Sequence, residues 1–214
     1  MEEKIEKTFK AIKWYGHASF GIETEKIIYF DPWKMPDTSP KADVILVTHS
    51  HFDHLSVRDI DYLSKKGTTI VCTEDCEGQL KGDVRAIRPG EEIDIQGIKI
   101  KAVPAYNPNK TFHPRNKGWV GYIIDVNGIS IYHAGDTDYV SEMKEAGKIN
   151  IALFPVGGTY TMNAEEAARA ANTIKPDISI PMHYGSEVIG TEKDALKFSS
   201  LCDGEVRILK KTKL

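Results

Sequence analysis

Short apolar runs broken by turn residues dominate the first third of the chain. Ala11 to Tyr15, Ser19 to Glu23 and Lys26 to Phe30 are rich in β-branched and aromatic residues, which suit a pleated, half-buried surface. They predict three strands, with Thr24-Glu25 as a hairpin connection. Val44 to Val47 is apolar throughout and too short for a buried helix, so it predicts a strand covered on both faces. Beyond it Ser56 is placed to cap a helix, Val57, Ile60 and Leu63 recur at helical spacing, and Gly67 can close it. A strand at Thr69 to Cys72 follows.

The rest of the chain alternates in the same way. Ile93 to Ile95 and Ile98 to Val103 flank Gln96-Gly97, and Trp119 to Val126 and Ile129 to Tyr132 flank Asn127-Gly128, a pair suited to a type I′ turn. Two hairpins are expected. Then come a strand at Ile151 to Phe154, a helix from Ala164 to Ile174, a strand at Ile178 to Pro181, a helix from Glu192 to Ser200 and a last strand at Val206 to Leu209. Asn163 and Glu166 have capping-box spacing, and Pro176 ends the helix they open. Strand-rich stretches interrupted by helices in both halves let two sheets pack face to face with helices outside. Pattern alone gives a mixed α and β fold.

The 214 residues, 41% of them hydrophobic, suffice for one globular domain over residues 1–214 with a substantial core. Neither a signal peptide nor a membrane-length apolar run is visible, so a cytoplasmic protein without a membrane role is expected. A formal net charge of −3 gives no basic footprint, which makes nucleic acid an unexpected partner and a small molecule the expected one. Oligomeric state is not readable. The three cysteines, Cys72, Cys76 and Cys202, are expected to be free thiols.

Chemistry concentrates in one place. Directly after the apolar run, Thr48-His49-Ser50-His51-Phe52-Asp53-His54 sets three imidazoles and a carboxylate within six positions. Histidine is the commonest ligand of zinc and similar metals, and a neighbouring carboxylate permits a second ion. On extended chain His49 and His51 point the same way, while Asp53 and His54 lie past the turn. A solvated histidine-rich turn explains this grouping poorly.

His49-x-His51-x-Asp53-His54 resembles the signature of the metallo-β-lactamase superfamily. The likeness extends to Asp31-Pro32, to Gly135-Asp136-Thr137 and to His183. Gly16-His17-Ala18-Ser19-Phe20, Phe30-Asp31-Pro32-Trp33 and Tyr132-His133-Ala134-Gly135-Asp136-Thr137 are most similar to small lactonase-like hydrolases related to ascorbate-6-phosphate lactonase. This resemblance implies an α/β fold of the four-layer αββα sandwich type and two divalent metal ions, zinc first, with manganese or iron as the other candidates. It implies that Asp136 bridges the ions, that His183 joins Asp53 and His54 at the second site, and that His49 and His51 belong to the first. Where many relatives carry the next histidine this chain has Asn107, so His113 either closes the first site or contacts substrate while water takes its place. Asp31 is expected as an outer carboxylate orienting a ligand, with His17 and His133 as hydrogen-bonding supports.

The function so implied is hydrolysis of an ester, lactone or phosphodiester bond in a small anionic substrate, with Asp53 and Asp136 orienting the attacking water. The alternatives are a nuclease or phosphodiesterase acting on nucleic acid, and a metal-binding protein without turnover. An exported antibiotic-degrading enzyme would carry a leader, an RNA-processing member an extra arm, a glutathione-thioester hydrolase a helical C-terminal domain, and an oxygen-reducing di-iron relative Glu in place of His51. Lys110, Arg115 and Lys117 cluster on the loop before Trp119. Lys110 and Arg115 are the expected contacts to the anionic group.

Overall fold

The computed structural model describes residues 1–185 and 187–212. The chain begins with α1 (Glu2–Ala11), which turns into the meander β1 (Ile12–Gly16), β2 (Ser19–Glu23) and β3 (Ile27–Phe30). The sheet continues with β4 (Val44–Leu46), α2 (Val57–Leu63), β5 (Thr69–Cys72), α3 (Glu74–Glu77) and β6 (Asp83–Ala86). These six strands lie side by side in chain order. The first three are antiparallel and the last three join in parallel, through the irregular segment 31–43, α2 and α3 in turn as the crossovers that parallel pairing requires.

The second half repeats the plan. Four antiparallel strands, β7 (Glu92–Ile95), β8 (Ile98–Pro104), β9 (Val120–Val126) and β10 (Ile129–His133), lead into the parallel pair β11 (Ile151–Pro155) and β12 (Ile178–Met182). Helix α4 (Ala164–Ile174) connects β11 to β12, and α5 (Glu192–Leu201) follows. Both arms of the Asn163–Glu166 capping box form, at 2.9 and 3.0 Å.

Period-two alternation sorts each strand between two cores. In β4 and β5, Val44, Leu46 and Val71 face the apolar layer between the sheets, whereas Ile45, Ile70 and Cys72 face Ile60 and Leu63 of α2. On the other side α4 and α5 pack on β11 and β12. The result is the four-layer αββα sandwich of an α/β protein. Among the described residues no helix is long and apolar enough to cross a membrane.

One helix was not expected and two local expectations change. The N-terminal stretch is helical, because Ile5 and Thr8 bury one face while Glu3–Lys7 and Glu6–Lys10 set opposite charges four apart on the other. Helix α2 ends at Leu63, where Ser64 leaves helical geometry, well before Gly67. Val206 to Leu209 does not build a strand: Val206 makes one isolated bridge to Ser179, framed by Ser179 N to Glu205 O and Arg207 N to Ser179 O.

Candidate metal centre

The expected ligands cluster at the C-terminal ends of strands, where each sheet releases its chain into loops. His49, His51, Asp53 and His54 follow β4, Asp136 follows β10, and His183 follows β12. Gly135 makes the sharp exit from β10 possible: it holds φ +66, and a Cβ there would meet the Val120 carbonyl at 2.7 Å. His113 arrives from the long loop between β8 and β9.

Three overlapping groups of ligand atoms result, each with all its atoms within 4.8 Å of one another: His49, His51 and His113; His49, His54 and Asp136; and His17, Asp53, His54 and His183. Asp136 sits among the imidazoles. Its carboxylate oxygens lie 3.3 Å from His54 Nε2, 3.3 Å from His113 Nε2 and 3.0 Å from His183 Nε2. Those approaches lack hydrogen-bonding angles. His54 Nε2, His113 Nε2, both nitrogens of His183 and Asp136 Oδ1 are therefore buried without a hydrogen-bond partner. Buried polar atoms are rarely left so, and four of them, the three Nε2 atoms and Asp136 Oδ1, converge and fit a divalent cation far better than any protein donor, while His183 Nδ1 faces Gly157.

The surroundings fix which nitrogen of each imidazole faces inward. Asp31 accepts from Thr48 N at 2.8 Å, from Thr48 Oγ1 at 2.7 Å and from His54 Nδ1 at 2.7 Å. A carboxylate only accepts, so Nδ1 of His54 carries a proton and Nε2 is the nitrogen left to face a metal. Because the Thr48 hydroxyl spends its proton on Asp31, it accepts from His49 Nδ1 at 2.9 Å, which leaves His49 Nε2 bare. His49 Nε2 then stands 3.0 Å from His51 Nδ1, a separation suited to two imidazoles on one ion. His113 Nδ1 faces two acceptors, Asn107 Oδ1 at 3.0 Å and the Tyr160 carbonyl at 3.2 Å, so its Nε2 is the inward atom.

Asn107 is the residue whose part the sequence did not reveal. Its Oδ1 also accepts from His113 N at 2.9 Å and its amide donates to Tyr160 O at 3.0 Å, so it holds His113 in place. His17 stands nearer than an outer support need be. Its Nε2 donates to Asp53 Oδ2 at 3.0 Å, and its ring centroid is 3.9 Å from that of His183. His133 lies in the core, stacked on Phe30 at 4.9 Å, with Nε2 donating to Ala18 O at 2.9 Å.

Protonation follows from burial and neighbours. Burial pushes His49 well below the ordinary histidine value, lowers His51, and takes His17 to about 4 with help from His183. For Asp136 burial alone works upward, but His183, His54 and His113 outweigh it and hold the carboxyl well below the usual range. Asp53 is likewise brought to about 2, as the His17 hydrogen bond and His54 overcome burial. In His54 burial opposes the charged form, yet Asp136 and Asp31 lift it well above its ordinary value. A cation entering here would displace that proton.

A cavity of about 520 Å³ opens onto this cluster, with His51, Asp53, His113, Asp136 and His183 in its floor. Lys110 and Arg115 are not on its described wall. Lys110 Nζ is held by Asp138 at 2.6 Å and by the carbonyls of Thr161 and Gly158 at 2.7 and 3.2 Å, and Arg115 pairs with Glu142 at 2.9 Å above the Tyr106 ring. Sequence proximity put both on the right loop. Their partners turn them away from an incoming anion. Cys72 and Cys76 are buried, and burial pushes each thiol up to about 12, so they remain protonated and inert.

Two packed sheets presenting a histidine–carboxylate cluster at their strand ends define a metal-dependent hydrolase scaffold. Residues 11–183 match the beta-lactamase superfamily domain, and the chain belongs to that superfamily. A UPF0173 metal-dependent hydrolase of Thermoplasma volcanium is 37% identical over 208 residues, covering 89% of this chain and 90% of the relative. The crystal structure of a candidate metal-dependent hydrolase from Parabacteroides distasonis matches with a TM-score of 0.83 at 34% identity, over 94% of this chain and 93% of that one. Igni18, a metallo hydrolase from Ignicoccus hospitalis, matches with a TM-score of 0.76 at 26% identity, over 94% and 95% of the two chains. This chain is thus a metal-dependent hydrolase with a His/Asp cluster able to bind metal.

Proposed function

We propose that the enzyme holds two divalent ions, zinc before manganese or iron, and hydrolyses an ester, lactone or phosphodiester bond in a small molecule. The observation that carries this reading is the set of unpartnered buried atoms around Asp136, shared between one group on the His49 side and another on the His183 side. His49, His51 and His113 would hold one ion, Asp53, His54 and His183 the other, with Asp136 between them. When bound, such ions supply Lewis-acid activation of a water and of the scissile group.

The chain's own residues do the rest. Asp53, ionised and steered by His17, accepts a hydrogen bond from the attacking water and orients it. The water oxygen bonds to the carbonyl carbon or phosphorus, the bond to the leaving oxygen breaks, one water proton ends on that oxygen and the other leaves to solvent. Asp31, Thr48 and Asn107 keep the ligand nitrogens bare and aimed throughout. A nucleic-acid strand needs a basic track, and no lysine or arginine among the described residues lines the cavity.

The test is to load the protein with zinc or manganese, count ions per chain, and assay lactones, carboxylic esters, phosphodiesters, thioesters and structured RNA side by side. Two ions with turnover of a small ester, lactone or phosphodiester is the expected result. One ion per chain overturns the dinuclear reading, and RNA as the sole substrate, or no turnover of any, overturns the substrate class.

A further inference from the structure

Floor and mouth of the metal cavity differ in chemistry. Above the polar floor the cavity is walled by Trp33, Phe52, Phe112 and Tyr160. They stand as two edge-to-face pairs: Trp33 meets Phe52 with centroids 6.1 Å apart at 77°, and Phe112 meets Tyr160 at 4.7 Å and 89°. Each pair is rooted beside a different part of the cluster. Trp33 stands edge-on to His17 at 5.5 Å, next to Asp53 and His183, while Phe112 immediately precedes His113 and the Tyr160 carbonyl faces His113 Nδ1.

Two of these rings are costly where they are. Phe52 is 71% exposed although it lies inside the ligand motif, and Phe112 is 41% exposed; among the described residues they are the only aromatic ones in the set of exposed large hydrophobic side chains. Solvated phenyl groups held in fixed pairs over a pocket are suited to cover a flat apolar group, since ring pairs favour stacked or edge-on partners. The nearby cations are occupied. Lys34 Nζ lies 4.4 Å over the Trp33 ring and pairs with Glu187 at 2.8 Å, so it buttresses the indole and neutralises the one carboxylate at the rim.

We propose that the mouth is a slot for an aryl or similarly flat apolar group, and that the substrate class is a neutral ester or lactone bearing such a group beside its scissile bond. This rests on the hydrolase reading above. The polar bond would meet the floor while the ring slides between the two aromatic pairs. Specificity then comes from Phe52, Phe112, Trp33 and Tyr160, and the anionic anchor expected from Lys110 and Arg115 has no place in it.

The slot can be tested apart from turnover. Calorimetric titration of the metal-loaded full chain with 2-naphthylmethanol should show one saturable site, and Phe52→Ala or Phe112→Ala should weaken it about tenfold, in line with the worth of ring contacts. Both positions are exposed, and metal content measured in parallel guards against a disturbed floor. Alongside, kcat/KM for γ-phenyl-γ-butyrolactone should exceed that for the γ-methyl compound, with the ratio collapsing in either variant. Saturable, ring-dependent naphthylmethanol binding without hydrolysis of any lactone or ester keeps the slot and removes the reaction. Lactone turnover with equal kcat/KM for phenyl and methyl compounds, and no naphthylmethanol binding, removes the slot and keeps the reaction. A change of oligomeric mass in Phe52→Ala without naphthylmethanol binding assigns the rim to a second copy and also overturns the slot.

Discussion

The backbone amide of His183 donates to the carbonyl of His17 over 3.0 Å, and both residues hold left-handed backbone, at φ +61 and +52. The bond joins the end of β12 to the turn between β1 and β2, across the two sheets. Non-glycine residues in this region are strained and persist where their surroundings over-determine them, a pattern common at functional sites. Asp31, at φ +43, shares it.

Asp136→Ala should abolish hydrolysis and remove most bound metal, because its carboxylate lies among His54, His113 and His183 at 3.0–3.3 Å. His17→Ala should cost less, since it loses the steering of Asp53 and leaves the remaining donors in place. Metal analysis and turnover on the same preparations decide this. Equal losses would contradict the roles assigned.

Asp31→Asn should keep the fold yet weaken metal binding roughly 10–100-fold, the usual effect of removing an outer partner. The Thr48 hydroxyl and His54 Nδ1 both donate to Oδ2 while Thr48 N donates to Oδ1, so an amide, with a single accepting oxygen, cannot serve all three donors. Competition against a fluorescent chelator gives the affinity directly, and an unchanged value would show that Asp31 does not orient the ligands through Thr48 and His49.

Lys110→Met should impair the enzyme more than Arg115→Ala. Lys110 ties the loop carrying His113 to Asp138 and to two carbonyls, whereas Arg115 makes one exposed pair worth about 0.5 kcal/mol or less. Thermal midpoints and metal affinity should fall in the first variant and stay near wild type in the second. A selective loss in Arg115→Ala on anionic substrates would restore it as a substrate contact.

Acid should destabilise the chain partly through His133. Burial lowers its pKa from 6.5, so below that value the unfolded chain takes up a proton that the folded core refuses, and stability falls with pH. In excess chelator, the drop in denaturation midpoint between about pH 7.5 and 5.5 should be smaller in His133→Gln than in wild type. Parallel curves would show that His133 is not among the groups responsible.

Removing the metals should lower the thermal midpoint, since four buried polar atoms around Asp136 lose the partner that suits them, and native-state ligands stabilise by mass action. Scans with and without chelator, followed by zinc or manganese add-back, measure it. A midpoint indifferent to chelation would argue against the cluster as a metal site.

The strands from β1 to β5 and from β7 to β12 were legible because their apolar runs are short, bounded by turn residues and rich in Val, Ile, Tyr and Phe. Edge and terminal elements were not. β6 reads Asp-Val-Arg-Ala and is mostly exposed, so its charges, useful on a sheet edge, hide its strand character. The residues 206–209 look like a strand, but the chain beyond runs past β1, with Thr212 N on Trp14 O, and only one bridge to Ser179 forms.

At the metal centre, the ligand types of residues 49–54 announce themselves by adjacency. His113 did not, because it sits on an irregular loop whose direction is set by Asn107, Tyr160 and Lys110, contacts that no local periodicity encodes. The same limit applies to Lys110 and Arg115. Charge on a loop is visible in sequence; the partner that consumes it, Asp138 or Glu142, is visible only in space. Trp33 and Tyr160 reach the cavity mouth from segments 127 positions apart, which no motif connects.

The first sheet draws on residues 12–86 and the second on residues 92–182, residues 87–91 lead from one to the other, and the tail returns from Ser179 of β12 to Trp14 of β1. His49 to His54 therefore belong to one leaf of the molecule and His113, Asp136 and His183 to the other. Neither leaf owns a complete site. Each ion would bind at the seam, so metal occupancy becomes a gauge of how the leaves are seated, and a substitution far out on either outer helix can alter catalysis simply by tilting one leaf against its mate.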